Sequence, residues 1–166
     1  CEAYWSVSTN TIVQQLSRDA ISLIVEYLPK VLGDMSNLSY RKKVYQGAFF
    51  AGLAFSNTRT TACHSISYPL TLLYGIPHGL AVSLTLSEVL KENRDYIPDF
   101  ELFLDSWNAE SVEDISKWID EVSDGIQLLK LSEFGVKEEE IDDIIKLTFT
   151  GGRMDNNPIV FDEDQV

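Results

Sequence analysis

Apolar residues along this chain recur at intervals of three and four positions, and no other sequence feature restricts its fold as strongly. The clearest case is residues 11–32, where these spacings are kept by Ile12, Leu16, Ile21, Leu23, Ile24 and Leu28. Such spacings place apolar side chains on one face of an α-helix. The sequence contains no convincing alternation of apolar and polar residues of the kind typical of strands. We therefore predict an all-α domain, a bundle-like packing of helices.

Local start and stop signals divide the chain into six predicted helices. Their approximate ranges are 11–32, 40–55, 60–74, 80–92, 111–129 and 137–150 (ended by Gly151 and Gly152), and residues 153–166 are predicted to form a loop. Thr9 or Asn10 can cap the first helix, and Gly33 can end it. Ser111, with Asp114 three residues later, can cap the fifth helix.

The end of the second predicted helix, residues 47–55, consists only of small and apolar residues. A helix that is apolar on every side is typical of one enclosed by the rest of the core. We therefore expect this helix to be central and buried.

Charge is distributed unevenly and argues against several classes of partner. The formal net charge is −13, yet residues 1–90 carry six Lys/Arg against five Asp/Glu, whereas residues 91–166 carry seven against twenty-one. An acidic surface of this kind repels phosphate backbones and anionic lipid, so nucleic-acid and membrane partners are not expected. No apolar run approaches the roughly 18 residues that a membrane span needs. The two cysteines, Cys1 and Cys63, make no disulfide framework, and a cytoplasmic location is expected.

Both ends of the sequence have the character of helix interiors or openings. The first residues, 1–5, have a helical pattern without a start signal, and the sequence stops at residues 164–166, where an acidic pattern typical of a helix opening begins. We expect the chain to be one part of a longer protein.

Two histidines, His64 and His78, are the strongest candidates for chemistry. They lie 14 positions apart in the least polar part of the chain, and a helix, a turn and a second helix could bring them together. They could be core histidines with one hydrogen bond each, or they could be metal ligands. A catalytic zinc or ferrous site needs three or more protein ligands, so from these residues alone the metal site is incomplete.

The surroundings of the two histidines resemble the signature of the iron-containing, group III alcohol dehydrogenases. That signature has a small-residue AG-x-AF-x-N stretch, a histidine thirteen positions after its first alanine, and a PHG turn whose histidine follows fourteen later. The matching residues here are Ala51, Gly52, Ala54, Phe55, Asn57, His64, Pro77, His78 and Gly79. Glu2-Ala3-Tyr4 is also similar to the end of the family's D-x-x-x-H-x-x-E-x-Y helix.

The resemblance implies a fold, a metal and a reaction. Members have a dinucleotide-binding α/β domain followed by a helical domain of the dehydroquinate-synthase type, with the active site in the cleft between them. The metal, Fe²⁺ or Zn²⁺, takes one Asp and three His, of which two match His64 and His78. The other two would lie just before Cys1. The implied reaction is NAD(P)-dependent interconversion of an alcohol and an aldehyde, in which the metal acts as a Lewis acid on the substrate oxygen.

Several residues near the histidines are implied to contact the substrate. Many family members have a second histidine where this chain has Tyr68, which would share the helix face of His64 and point into the cleft or else be a packing residue. Tyr68 and Asn57 are predicted to orient the substrate. Arg59, Thr60 and Thr61 could bind an anionic group.

The implied substrate is a small alcohol or aldehyde. Residues 60–69, together with Asn156-Asn157-Pro158, are similar to the family branch that acts on phosphonoacetaldehyde and related phosphonate aldehydes. The alternative for Arg59 and the threonines is a surface arginine beside helix-capping hydroxyls.

This chain has no glycine-rich phosphate-binding turn after a strand, so the dinucleotide-binding domain is predicted to be absent from it. The chain alone, residues 1–166, is therefore expected to be an inactive helical metal-binding domain, with its own N-terminal domain as partner and a homodimer possible. Two alternatives remain open. One is a glycerol-dehydrogenase-like or dehydroquinate-synthase-like relative, and the other is a non-catalytic helical interaction domain.

Overall fold

The computed structural model describes residues 1–124, 126–127, 129–149 and 152–162. These residues form nine α-helices and no strand, which confirms the all-α prediction. The helices are α1 (Glu2–Trp5), α2 (Thr11–Gly33), α3 (Leu38–Ser56), α4 (Ala62–Tyr74), α5 (His78–Leu84), α6 (Leu86–Asn93), α7 (Phe100–Trp107), α8 (Val112–Ser123) and α9 (Ile141–Thr148). Short 3-10 turns lie at Arg94–Tyr96, Leu131–Phe134, Glu138–Glu140 and Met154–Asn156.

Side-chain caps fix where the longer helices begin. Asn10, rather than Thr9, accepts the free backbone N–H groups at the start of α2, and Gly33 is the last residue of that helix. Ser111 and Asp114 form the predicted capping box at the start of α8, in which each side chain bonds the backbone at the other's position.

Helices α2 and α3 pack against each other as a hairpin. Gly47 lies at their closest approach, where an added Cβ would come within 3.0 Å of Ile24 Cγ1 and 3.1 Å of the Ala20 carbonyl oxygen. No residue larger than glycine fits there without displacing α2. The pairing leaves the C-terminal end of α3 beside α1, in position to form one wall of a cleft.

The prediction that the second helix is buried on all sides is wrong. Only Gly47 and Ala54 of α3 are buried, whereas the side chains of Tyr45, Phe49 and Phe55 are 75%, 54% and 53% exposed. The helix packs through its small residues against α2, and its aromatic face has no cover within the described part of the chain.

Helix boundaries differ from the predictions in the acidic half of the chain. The helix predicted at 80–92 is two helices, α5 and α6, which meet at Thr85. The helix predicted to extend to 129 ends at Ser123, and α7, for which no helix was predicted, lies before it. Gly125, Leu128, Thr150, Gly151 and the tail residues 163–166 lie outside the described residues, so the predictions that include them stay untested there.

The main core holds the first turn of α4 in place. It is built around large, fully buried side chains, among them Trp5, Leu70, Leu90, Phe103 and Ile115. Trp5 contacts Phe103 edge-on and donates a hydrogen bond to Thr61 at the start of α4. None of the described helices combines the length and apolar character needed to cross a membrane.

Candidate metal centre

His64 and His78 lie next to each other in the structure. His64 is in the first turn of α4 and His78 is the first residue of α5, so the turn between these helices reverses the chain. Gly75 caps α4 at φ 65°, a left-handed conformation that favours glycine. The two imidazole centroids are 5.2 Å apart, with the rings inclined at 70°. The sequence therefore predicted correctly that a helix and a turn bring these rings together.

The Nδ1 atom of His64 is hydrogen-bonded to the Glu2 carboxylate. An ionised carboxylate only accepts hydrogen bonds, so we assign the proton of the neutral ring to Nδ1. The Nε2 atom of His64 then carries a lone pair, and it has no hydrogen-bond partner among the described residues.

Ser67 contacts Nδ1 of His78, as Glu2 contacts Nδ1 of His64. The Ser67 hydroxyl donates to the His64 carbonyl oxygen at 2.8 Å, and its oxygen lies 3.4 Å from His78 Nδ1. Because the hydroxyl hydrogen is already used, we assign Nδ1 of His78 as the donor to Ser67. Both rings therefore keep Nε2 as the available lone pair, the form in which neutral imidazole binds a divalent cation.

Glu2 is a buried carboxylate held by several donors. Its Oε1 accepts a 2.8 Å hydrogen bond from Thr61, whose own oxygen accepts one from Trp5 Nε1 at 3.0 Å. Burial by itself would raise the pKa of Glu2, but hydrogen bonds from the His64 side chain, Thr61 and the His64 backbone oppose burial, and the pKa is lowered. Glu2 is therefore ionised near neutral pH and accepts the Nδ1 proton of His64 in a hydrogen bond.

The two histidines open into a cleft of about 1030 Å³. We call this space the histidine cleft, and it is lined by Ser8, Phe55, Ser56, Asn57, Thr58, Arg59, Thr60, His64, Tyr68, His78, Gly152 and Arg153. Among the residues that the structure describes, its walls contain two arginines and no Asp or Glu, in a chain with twice as many acidic as basic residues. The cleft suits a polar or anionic ligand next to two imidazoles.

The structure places most of the predicted substrate-contacting residues in the histidine cleft. Tyr68 shares the face of α4 with His64, and its ring centroid lies 6.1 Å from that of His78. Arg59 and Thr60 also line the cleft. Asn57 lines it as well, although its amide nitrogen donates to the Leu53 carbonyl oxygen at 2.8 Å and helps to end α3.

The prediction that Thr61 offers a hydroxyl to a substrate is wrong. Thr61 is fully buried, and its hydroxyl is taken up by Trp5 and Glu2 behind the histidines. The side chain supports the histidine pair instead of facing the cleft.

Three residues that contribute to the site were not predicted from the sequence as site residues. Glu2 and Ser67 orient the imidazoles, and Arg153 reaches the cleft from the segment that follows α9. Glu2 belongs to the Glu-x-Tyr segment that resembles the family helix, so a signal for it existed. Nothing in the local sequence around Arg153 indicates that it contacts α4.

The donor chemistry fits part of a metal site. Two neutral imidazoles with oriented lone pairs are suitable ligands for zinc or ferrous iron. No group of three or more His, Cys, Asp or Glu side chains able to hold a metal occurs among the described residues. These residues can therefore supply two ligands, and a stable site needs others from outside them.

Comparison with known proteins agrees with the all-helical fold of this chain. The model of the C-terminal domain of the Fe-containing alcohol dehydrogenase family matches residues 1–166. The chain therefore belongs to the Fe-containing alcohol dehydrogenase family and corresponds to its C-terminal domain.

Individual members of the family are similar to this chain in sequence and in structure. Phosphonoacetaldehyde reductase of Streptomyces viridochromogenes is 35% identical over 92 residues, which are 55% of this chain and 23% of that protein. 1,3-Propanediol dehydrogenase of Citrobacter freundii is 28% identical over 81% of this chain and 32% of that protein. The crystal structure of sulfoacetaldehyde reductase from Bifidobacterium kashiwanohense, in complex with NAD⁺, superposes with a TM-score of 0.89 at 29% identity. It covers 99% of this chain and 44% of that protein, so the chain spans less than half the length of these relatives.

Proposed function

We propose that this chain is the metal-binding half of an NAD(P)-dependent alcohol dehydrogenase or aldehyde reductase. The observation that carries the proposal is the pairing of His64 and His78, two neighbouring rings that line one cleft and whose Nδ1 atoms are both engaged, so that Nε2 of each is the atom left to bind a metal. Membership of the Fe-containing alcohol dehydrogenase family supports it. Ferrous iron is the proposed ion and zinc the alternative, since imidazole ligands suit both.

The protein side of the reaction follows from the placement of these residues. When bound, the metal would supply Lewis-acid polarisation of the substrate oxygen. His64 and His78 would hold it, while Glu2 and Ser67 fix the tautomer and direction of the two rings. In the oxidation direction the alcohol loses a hydride from carbon to NAD(P)⁺ and the hydroxyl proton to a base or to water.

The remaining cleft residues orient the substrate. The Tyr68 phenol can donate a hydrogen bond to the substrate oxygen, although it does not replace imidazole as a base near neutral pH. Asn57, with its side-chain oxygen still available, and Thr60 line the same space.

The rest of the enzyme comes from outside this sequence. The proposed partner is a dinucleotide-binding domain of the same protein, which would close the histidine cleft and bring the remaining ligands. The exposed aromatic face of α3, which includes Phe55 at the cleft edge, is available for such a contact or for pairing of two copies. We expect the 166-residue chain alone to have no dehydrogenase activity.

A two-domain protein provides the test. It is made by placing this chain after the upstream part of 1,3-propanediol dehydrogenase of C. freundii, the relative in which the match covers only 32% of the length. We predict that His64→Ala and His78→Ala each remove most of the bound metal and lower NAD(P)-linked aldehyde reduction by more than about 100-fold, because each removes a direct ligand. Metal content and initial rates are measured on the same samples.

The matched control is Ser8→Ala, a change at a cleft residue whose side chain is not among the described hydrogen-bond partners of either histidine, which should keep its metal. Full metal content and full activity in both histidine variants would contradict the proposal and favour a non-catalytic helical domain.

A further inference from the structure

Of the cations that line the histidine cleft among the described residues, Arg153 is the one held in position by its neighbours. Its guanidinium carbon lies 4.0 Å from the centroid of the Tyr68 ring, and its NH2 group donates to the Tyr68 hydroxyl at 2.9 Å. Stacking and the hydrogen bond together hold the planar group against one wall of the cleft. The group is therefore oriented before any ligand arrives.

The loop that carries Arg153 is itself anchored. The Asn156 side chain donates to the carbonyl oxygens of Thr60 and Gly152, at 3.3 and 2.7 Å, and Met154 is buried. Asn157 is buried and exchanges two hydrogen bonds with Asn93 of α6. The Asn-Asn-Pro segment thus acts on the cleft indirectly, by holding the turn from which Arg153 projects.

Arg153 also retains unused hydrogen-bonding capacity. A guanidinium has five N–H donors, and within the described residues one is given to Tyr68 while no carboxylate pairs with the group. The nearest acid along the chain, Asp155, accepts from the Gly152 backbone N–H at 2.8 Å. An arginine without a carboxylate partner, in a chain of net charge −13, can receive an external anion in bidentate fashion.

Arg153 and His78 share Tyr68 as a neighbour. The Tyr68 ring that supports the guanidinium is also the ring beside His78, with the two centroids 6.1 Å apart. A short substrate whose anionic group is a few bonds from the carbonyl can therefore place its reacting oxygen at the histidines and its anion at Arg153. Phosphonoacetaldehyde and sulfoacetaldehyde, in which one carbon separates the carbonyl from phosphorus or sulfur, have this length.

We propose that Arg153, held on the face of Tyr68, binds the anionic end of the substrate and makes the enzyme selective for short aldehydes that carry a phosphonate or sulfonate group. The proposal rests on the proposed function, because it assigns the reacting oxygen to His64 and His78. Arg59, exposed at the rim of the cleft, adds a second positive charge without a fixed position. The phosphates of the dinucleotide present the same chemistry, so the test separates the two sources.

The kinetic test compares two aldehydes in the two-domain protein. We predict that Arg153→Met lowers the ratio of kcat/KM for phosphonoacetaldehyde to kcat/KM for propanal by about 10- to 100-fold, mainly through KM, because charge-assisted hydrogen bonds are lost. Arg153→Lys should recover part of the ratio, since it keeps the charge but loses the bidentate geometry. Arg41→Met, at an exposed position of α3 outside the cleft, is the matched control and should change neither aldehyde's kinetics.

Two kinetic outcomes would overturn the inference. An equal fall for both aldehydes would show that Arg153 only supports the fold. A raised KM for NAD(P)H with an unchanged aldehyde ratio would assign the arginine to the dinucleotide.

A binding measurement on the 166-residue chain separates this inference from the proposed function. In this experiment 2-hydroxyethylphosphonate is titrated into the chain while the Nε–Hε resonance of Arg153 is followed by NMR. Separate titrations use ADP, which represents the phosphates of the dinucleotide, and propan-1-ol, which represents an uncharged substrate. A saturable shift with the phosphonate alone supports the anion site at Arg153. If the two-domain protein nevertheless reduces no aldehyde, the proposed function fails while the anion site stands. A shift with ADP alone, or with neither anion, contradicts it.

Discussion

Glu2 is the residue whose contribution to the metal centre is most accessible to experiment. It bonds Nδ1 of His64 from a buried position, so the charge of its carboxylate acts on the imidazole with little screening by water. Carboxylates in this position fix the direction of a ligand histidine and increase its basicity.

We predict that Glu2→Gln lowers the metal affinity of the two-domain protein by about 10- to 100-fold. The amide keeps the size and an acceptor oxygen but loses the charge. Affinity is measured by competition with a chelator of known strength, and unfolding by urea checks that the fold is kept. Glu26→Gln, an exposed change on α2, is the control, and equal affinities of the Glu2 and Glu26 variants would refute the orienting role.

Residue roles could be predicted from the sequence where spacing along one helix determines them. His64 and Tyr68 share a face of α4 because they are four positions apart, and the turn before His78 brings its ring back to the same place. Arg153 lies 85 positions from Tyr68, and Glu2 lies 62 positions from His64. Contacts over such distances depend on how the helices pack, which local spacing does not specify.

At the scale of helices, sequence patterns predicted where helices occur but not which of their faces are buried. The apolar segment of α3 was a correct helix prediction, yet the same pattern predicted burial that the structure does not have. An apolar pattern on all sides of a helix indicates that other elements cover it, but it does not say whether those elements belong to the same chain segment or to another domain. The break between α5 and α6 at Thr85 has no glycine or proline to mark it, so periodicity alone merged the two helices.

The α2–α3 contact supplies a prediction at this scale. We expect Gly47→Ala to destabilise the chain by about 1–3 kcal/mol, because the new methyl would press on Ile24 and on the Ala20 backbone. Gly52→Ala, in the same helix with nothing within 4 Å of the added carbon, should instead stabilise by about 0.5–1 kcal/mol. Urea unfolding followed by circular dichroism measures both, and a stabilising Gly47→Ala would contradict the close packing.

At the scale of the whole molecule, the net charge of the chain and the charge of the histidine cleft have opposite signs. The acidic residues are concentrated in residues 91–166, whereas the described cleft wall contains arginines and no carboxylate. The single arginine that this acidic half contributes to the cleft, Arg153, faces Tyr68. A negative exterior around a positive cleft directs small anions inward and repels polyanions.

The helical domain also explains why the sequence alone left the metal site incomplete. The two proposed ligands lie within it, and the described residues contain no group of three or more His, Cys, Asp or Glu side chains able to hold a metal. Under the proposed function, other side chains complete the site, and metal binding then depends on domain assembly.

The most direct measurement is a crystal structure of the two-domain protein containing zinc, with the metal located by its anomalous scattering. We predict a single peak within about 2.1 Å of Nε2 of both His64 and His78. A metal bound through Nδ1, or one that contacts only one of the two imidazoles, would contradict the assignment on which the proposed chemistry depends.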